Sequence, residues 1–354
     1  MVKQTLKIVV AIVLLFQFIN CKYFMKDKTP KFRVELSNPE NDLDITPVKG
    51  TLITLEGSVA SLPPLSSSGS WGSSGKSFSE ESGTPIGTDI IYFSHYEDTF
   101  YELKVNFPLE KIKDYMQRAY ALSEASFYDK PLQEYENLGR FQSYSSGTNP
   151  YNSFDTLVFG FAPKGIVVVW LNYSGVQIEL GRYQAKVIED DKELEQKLFA
   201  SWSMTREEVR KEIYKDKYMD LSPKKWDDYR IRYNWKPFFE SSNEGFKTFK
   251  LVITYYNAEI ETFLRPWINT PAMKNRAVPK IFSFSWETSK EEKYHGLAYF
   301  DWAETKEIFD KAGPDKNIKI QIAEDNKDFQ LMMGEQIIPL DSARIFKSNR
   351  KFRE

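Results

Sequence analysis

Leu157–Leu180 reads LVFGFAPKGIVVVWLNYSGVQIEL, three apolar runs parted by two glycine-containing turns. Leu157, Phe159 and Phe161 alternate with Val158 and Gly160, and Ala162–Gly165 turns the chain. Ile166–Leu171 is continuously apolar, Asn172–Gly175 turns the chain again, and Val176–Leu180 returns. Short strands joined by tight turns predict an antiparallel meander. The middle strand, with Val167, Val168, Val169 and Trp170, is apolar on both faces, which predicts a central position.

Upstream, residues 51–60 alternate apolar and polar and read as a first strand. Ser61–Thr88 holds ten Ser and five Gly with Pro63, Pro64 and Pro85, and reads as a long loop in which Trp71 serves as an anchor. Ile90–Ser94 and Phe100–Phe107 read as strands. Pro108 then opens a helix with Leu109, Ile112, Tyr115, Met116 and Ala119 on one stripe. Residues 122–154 are polar and loop-like. Thr205 and Glu208 form a capping box before Val209 and Ile213. Ser222 and Pro223 open another helix, with Trp226, Tyr229 and Tyr233 along one face, and Phe249–Tyr255 reads as a strand.

The tail replays this order. Ile281–Ser285 resembles Ile90–Ser94, and Tyr294–Phe300 resembles Tyr101–Phe107 at an offset of 193 residues. At that offset Ile308, Phe309 and Ala312 overlay Tyr115, Met116 and Ala119, and Ile318, Ile320 and Ile322 match Leu157, Phe159 and Phe161. The expectation is an α+β fold, predominantly antiparallel meanders with a few packed helices, built as a duplicated strand-strand-helix-meander unit. The expected division is a leader (1–20), a tether (21–50), a first half (51–200), a helical connection (201–245) and a second half (246–354).

Lys3 and Lys7 precede the apolar run Ile8–Ile19, twelve residues that span about 18 Å as a helix, short of a hydrocarbon core of about 30 Å. That length fits the core of a secretory signal. Cys21, the single cysteine of the 354 residues, follows at once. This points to a bacterial lipoprotein: diacylglycerol on the thiol, cleavage before Cys21, and acylation of the new amine. The acyl chains would then hold the protein to the membrane. Lys22 after the cysteine favours the outer membrane. Phe18, Ile19 and Asn20 depart from the small residues usual before such a cysteine.

A net charge of -2 lacks the field of a nucleic-acid binder. The chain holds two histidines, His95 and His295, and no HExxH pair, so no metal site and no cofactor is expected. No GxSxG elbow occurs, and SxxK at Ser73–Lys76 and Ser222–Lys225 lacks its partner motifs. Carboxylates including Glu97, Asp98, Glu179 and Asp301 read as solvated faces, and no catalytic residue is assigned. Tyr229, Tyr233, Trp235, Trp267, Trp286 and Trp302 either line a groove for a glycan or partner or fill the core.

Gly165–Leu171, together with Gly175, Gln177, Glu179, Gly181, Arg182, Tyr183, Gln184 and Ala185, resembles the uncharacterised lipoprotein family called domain of unknown function 2931. Tyr229, Arg232, Tyr233, Asn234, Trp235 and Pro237 resemble its aromatic element, with Lys236 where an arginine is expected. The resemblance implies a Gram-negative lipoprotein with no established activity. Some members resemble immunity proteins in being encoded beside secreted toxins. If the strand continues past Leu180, Arg182 and Gln184 share a face opposite Glu179 and Tyr183. Such a face binds a partner or pairs internally with carboxylates. The expected binding surface is Arg182, Gln184, Tyr233 and Trp235. The expected function is a lipid-anchored envelope protein that binds an envelope protein or secreted effector, in an immunity or assembly role. The alternative is a glycan-binding or glycan-cleaving lipoprotein.

Overall fold

The structure, a computed structural model, describes residues 31–40, 43–74, 78–117, 156–173, 176–200, 202–213, 221–264, 267–288, 292–314 and 316–348. Cys21 and the polar stretch 122–154 lie outside the described residues. Among the described residues strand makes up 53% and helix 15%, so the fold is mostly β and the α+β expectation is overturned. The apolar stripes at helical spacing mark helices near Leu109, Trp226 and Ile308, but these are too short to form a layer, and Tyr233, expected on the Trp226–Tyr229 face, lies on a strand instead. The longest among the described residues has ten residues. Sheets bury sheets instead. Among the described residues no helix is long and apolar enough to cross a membrane.

The chain enters the fold earlier than a tether to residue 50 would allow. In β1 (Lys31–Ser37), Phe32, Val34 and Leu36 are buried on one face. After β2 (Ile45–Thr54) come β3 (Ala60–Ser61), β4 (Phe78–Ser82), β5 (Pro85–Ser94) and β6 (Thr99–Asn106). Helix α1 (Leu109–Gln117) precedes the meander β7 (Thr156–Ala162), β8 (Ile166–Tyr173) and β9 (Val176–Gln184), and β10 (Lys186–Val187) follows. One sheet runs β9-β8-β7-β1-β4, with β1 parallel to β7. The other runs β10-β6-β5-β2-β3. Their facing side chains close one core, where the Tyr92 and Phe161 rings lie 4.8 Å apart. As expected of a central strand, Ile166 to Leu171 on β8 are all buried.

The far side of β8 is covered by the Ser/Gly-rich segment, which is not a free loop. Trp71 packs on Trp170, Ser68 bridges Ser37, and β4 pairs with β1.

Helices α2 (Lys192–Phe199), α3 (Arg206–Glu208) and α4 (Lys224–Asp228) connect to the second unit, a π turn at Val209–Ile213 continuing α3. The helical connection is shorter than the expected 201–245. Beyond α4 the chain forms β11 (Tyr233–Trp235), β12 (Pro237–Ser241), β13 (Lys247–Tyr255), β14 (Ile260–Leu264), β15 (Lys274–Arg276), β16 (Pro279–Thr288) and β17 (Glu292–Phe300). Helix α5 (Trp302–Lys311) leads to β18 (Ile318–Ile322), β19 (Phe329–Met333), β20 (Gln336–Ile337) and β21 (Leu340–Lys347).

The pairing scheme of the first unit recurs. β12 lies parallel to β18, as β1 does to β7, and β18-β19-β20 form the meander. The order β21-β17-β16-β13-β14 matches β10-β6-β5-β2-β3. The recurring unit is thus a pair of β-sheets carrying one short helix. The ten-stranded sheet is a composite, closed where β14 pairs with β9 through Ile260 and Gln177. Gln177 Nε2 donates across this seam to the carbonyls of Gly72 at 2.8 Å and Ala258 at 2.7 Å, and Trp170 Nε1 donates to Asn257 O at 3.0 Å.

Candidate functional site

The outer face of the β6-β5-β2 sheet carries Phe93 and Phe100, which the segment after β10 covers. Helix α2 starts with Glu193 and Glu195 in its first turn and carries Lys197 in its last, both favourable to its dipole, and it buries Leu198 and Phe199. Trp202 then stacks on His95, ring centroids 5.3 Å apart and planes 6° apart. The expected capping box is present at Thr205 and Glu208 and starts α3, bringing Arg206 over the sheet.

Arg206 fastens the segment. Its Nε donates to Asp98 Oδ1 at 2.7 Å, and Nη2 donates to Asp98 O at 2.7 Å. Nη1 donates to Asp191 at 2.8 Å and Glu195 at 3.0 Å, while the guanidinium lies 5.5 Å from the Phe93 and Phe100 ring centres. A charge held by three carboxylates over two aromatic faces fixes the geometry tightly. His95 Nε2 lies 2.8 Å from Thr46 Oγ1. Burial lowers the His95 pKa, against the raising effect of Asp44 and Asp98, which favours the neutral ring.

Between α2 and the Trp202–Arg206 strap lies a cleft of about 640 Å³. Phe199, Trp202 and Met204 line its apolar part, and Lys192, Glu195 and Glu208 supply charge. Such a cleft suits an apolar side chain flanked by polar ones.

The other titratable clusters are internally paired. In the second unit Arg276 forms a fork with Glu261, Nε at 2.7 Å and Nη2 at 3.1 Å, and Tyr255 donates to the same carboxylate at 2.7 Å. Near the seam Arg230 grips Glu179 at 2.6 Å, Arg232 pairs with Glu259 at 2.7 Å, and Glu259 accepts from Glu179 N at 3.1 Å. The remaining carboxylates singled out above also hold structure. Glu97 accepts Lys164 N at 2.7 Å, and Asp301 caps α5 through Glu304 N at 2.8 Å. At the second SxxK, Ser222 Oγ accepts Lys224 N at 3.3 Å and Lys225 pairs with Glu40.

The expected binding surface does not assemble. Trp235 is fully buried in the second core, 5.7 Å from the Arg276 guanidinium. Tyr233 donates to Asp310 at 2.5 Å and packs 5.0 Å from Phe309. Arg182 forms a two-point pair with Asp227, at 2.8 and 3.0 Å, and Gln184 donates to Lys164 O at 2.6 Å. Glu179 and Arg182 also fall on one face rather than opposite faces. Trp170 pairs with Glu179 and Val169 with Gly181, so Leu180 is an extra residue that resets the alternation. Trp286 and Tyr229 are buried too and half-buried Trp302 packs against both cores, so these aromatics fill cores instead of lining a groove, while the Trp267 side chain lies outside what is described. The cleft itself was hidden in the sequence. The capping box marks its strap, but nothing local announces that Arg206 meets Asp98, 108 positions away.

Fold and cleft together define a β protein of two topologically repeated units with an apolar cleft on the first. Residues 25–226 match the model of the family described as Protein of unknown function (DUF2931), and the chain belongs to that family. The match spans the first unit and ends at Trp226, before the Tyr229–Pro237 element. No curated protein and no solved structure matches the chain.

Proposed function

We propose that the protein is a lipoprotein of the cell envelope, anchored through Cys21, that holds a protein partner in the cleft beside Trp202. The anchor reading rests on the basic start, the short apolar run and the sole cysteine directly after it. The observation that carries partner binding is the cleft, in which half-buried Trp202 and Met204 meet solvent on a strap fastened by Arg206, over the buried Phe199 of α2. Aromatic and methionine side chains on a preorganised support give large contact area at low ordering cost. The proposed partner is an envelope protein or a secreted effector, and the proposed role is immunity or assembly. The anchor is tested by Cys21→Ala, which is expected to abolish incorporation of labelled palmitate and leave unprocessed precursor; undiminished labelling rejects it. Partner binding is tested in intact cells with a photo-crosslinking amino acid at position 204. A discrete protein adduct that disappears with Trp202→Ala supports the reading, and an adduct pattern unchanged by Trp202→Ala rejects it.

A further inference from the structure

The point where the chain enters the fold and an exposed apolar turn lie at the same end of the first unit. Lys31, the first residue of β1, pairs with Ser82. Ser82 O accepts the Ser58 hydroxyl at 2.7 Å, and Thr84 O accepts Leu55 N at 2.9 Å. The turn between β2 and β3 therefore sits beside the start of β1. It is braced: Thr54 Oγ1 donates to Ser58 O at 2.9 Å, and Gly57 N donates to Thr54 O at 3.1 Å. A Cβ on Gly83 would come within 2.5 Å of Ser58 Oγ, so the turn and the β4–β5 connection are in close contact.

The single carboxylate of the turn, exposed Glu56, is tied down to the β4–β5 connection. Glu56 accepts Thr84 N at 2.6 Å and Thr84 Oγ1 at 2.7 Å. Ile53, Leu55 and Val59 are left facing solvent, at 42%, 51% and 95% exposure. Scattered exposed aliphatics need no explanation, but three on one fixed turn make an apolar tip.

The chain outside the fold says what meets it. Nine residues, 22–30, separate Cys21 from β1, so the acylated residue and Lys31 are at most about 35 Å apart. Lys31 is exposed on β1 at the entry point, while Arg33, two residues on, lies opposite Glu80 of β4. We infer that the β2–β3 turn seats Ile53, Leu55 and Val59 in the interfacial region of the bilayer that carries the Cys21 acyl chains. This rests on the lipid-anchored reading and adds an orientation to it. The Trp202 cleft, tied to Asp98 in the β5–β6 turn, lies at the opposite end of that sheet and faces away from the lipid.

The test uses the full chain with Val59→Cys, purified after processing and labelled with nitrobenzoxadiazole, in phosphatidylethanolamine–phosphatidylglycerol vesicles. Acylated Cys21 holds its sulfur in a thioether and does not react. The expected result is emission shifted to shorter wavelength and quenched by doxyl-labelled lipid, with Ser203→Cys keeping its aqueous spectrum. Val59 is almost fully exposed, so the substitution leaves the unfolding midpoint unchanged. Palmitate labelling of the same preparation reads the anchor separately. Palmitate-labelled protein whose residue-59 probe stays aqueous overturns the inference and leaves the anchor standing. Protein without palmitate overturns the anchor, and the inference with it.

Discussion

Trp71 meets Trp170 edge-on, with ring centroids 4.9 Å apart and planes at 89°. Gly160 lies between the two, where a Cβ would come within 2.6 Å of Trp170 and 2.7 Å of Trp71. This contact turns a Ser/Gly-rich segment into a covering layer over β8. Trp71 also lies 6.4 Å from Trp226, linking that layer to α4.

Gly160→Ala should therefore cost about 1–3 kcal/mol through overpacking. Trp71→Ala should cost about 3–5 kcal/mol through the cavity it leaves. Because both act on one contact, the double variant should lose less than the two losses added together. Urea unfolding of the three variants measures this, and strict additivity would mean that the contact is not shared.

The meander was legible because Leu157–Leu180 carries its signals locally, in alternation and turns. The Trp71 layer was not, since its order depends on a ring 99 positions away that composition cannot point to. The tether expected over 21–50 holds Phe32, Val34 and Leu36, which alternate as a strand should. Pro47 is tolerated because β3 pairs only with Thr51 and Leu52, so no neighbour needs an N–H there, and the register with β5 shifts just after it. Helical spacing located α1, α4 and α5, but it also put Tyr233 on a helix face with Trp226 and Tyr229, whereas the helix stops at Asp228 and Tyr233 is in β11; spacing does not set length, and short helices cannot make a layer. For the binding surface, Arg182 and Gln184 do share a face, but alternation cannot show that Asp227 and Lys164 O occupy them or that Trp235 is buried; the bulged Leu180 displaces only Glu179 from its expected face.

Glu261 and Arg276 set an acid limit on the second unit. Burial pushes the Glu261 carboxyl up. The Arg276 and Lys274 charges, with hydrogen bonds from Arg276 and Tyr255, outweigh it and hold the pKa at about 2, against 4.5 unperturbed. A carboxylate with a lowered folded pKa contributes stability above its unfolded pKa and loses it as pH falls toward the folded one. The loss should run from pH 4.5 down to about 2. Glu261→Gln should cost about 3–5 kcal/mol at neutral pH by leaving Arg276 buried without its charge partner. It should also flatten that acid limb in denaturant titrations. Glu261→Gln with Arg276→Met should recover part of the loss, because the unpaired charge is gone.

His95 should produce a second pH dependence, nearer neutrality. Its pKa is lowered mainly by burial, so below the ordinary value of 6.5 the unfolded chain takes up a proton that the folded ring resists. Stability is full above that value and falls as pH drops below it, by at most about 1.4 kcal/mol per pH unit for one proton. His95→Gln should remove this slope, whatever its constant cost from losing the Trp202 stack. A slope that persists unchanged would assign it to other groups. The ring's own titration, followed by NMR, should also fall below the ordinary histidine value.

Arg206 should govern both the strap and the cleft. With 19% of its side chain exposed, it joins Asp98, Asp191 and Glu195 over the Phe93 and Phe100 faces described above, while Arg210 also reaches Asp98 at 3.3 Å. Arg206→Ala should cost about 2 kcal/mol, a buried-pair loss discounted for partial exposure. The larger effect should be local. Amide exchange should rise across residues 192–213, while the β7–β9 meander stays protected, because that meander makes its own ladder hydrogen bonds. Arg206→Lys separates charge from geometry: one ammonium cannot span Asp98, Asp191 and Glu195 as a guanidinium does. If the fork fixes the cleft, Arg206→Lys should recover much of the stability yet leave exchange at Trp202–Thr205 high, and the adduct at position 204 should weaken in both variants. Full recovery of protection by lysine would instead make charge alone the fastener, and the cleft would then owe its shape to the Trp202–His95 stack.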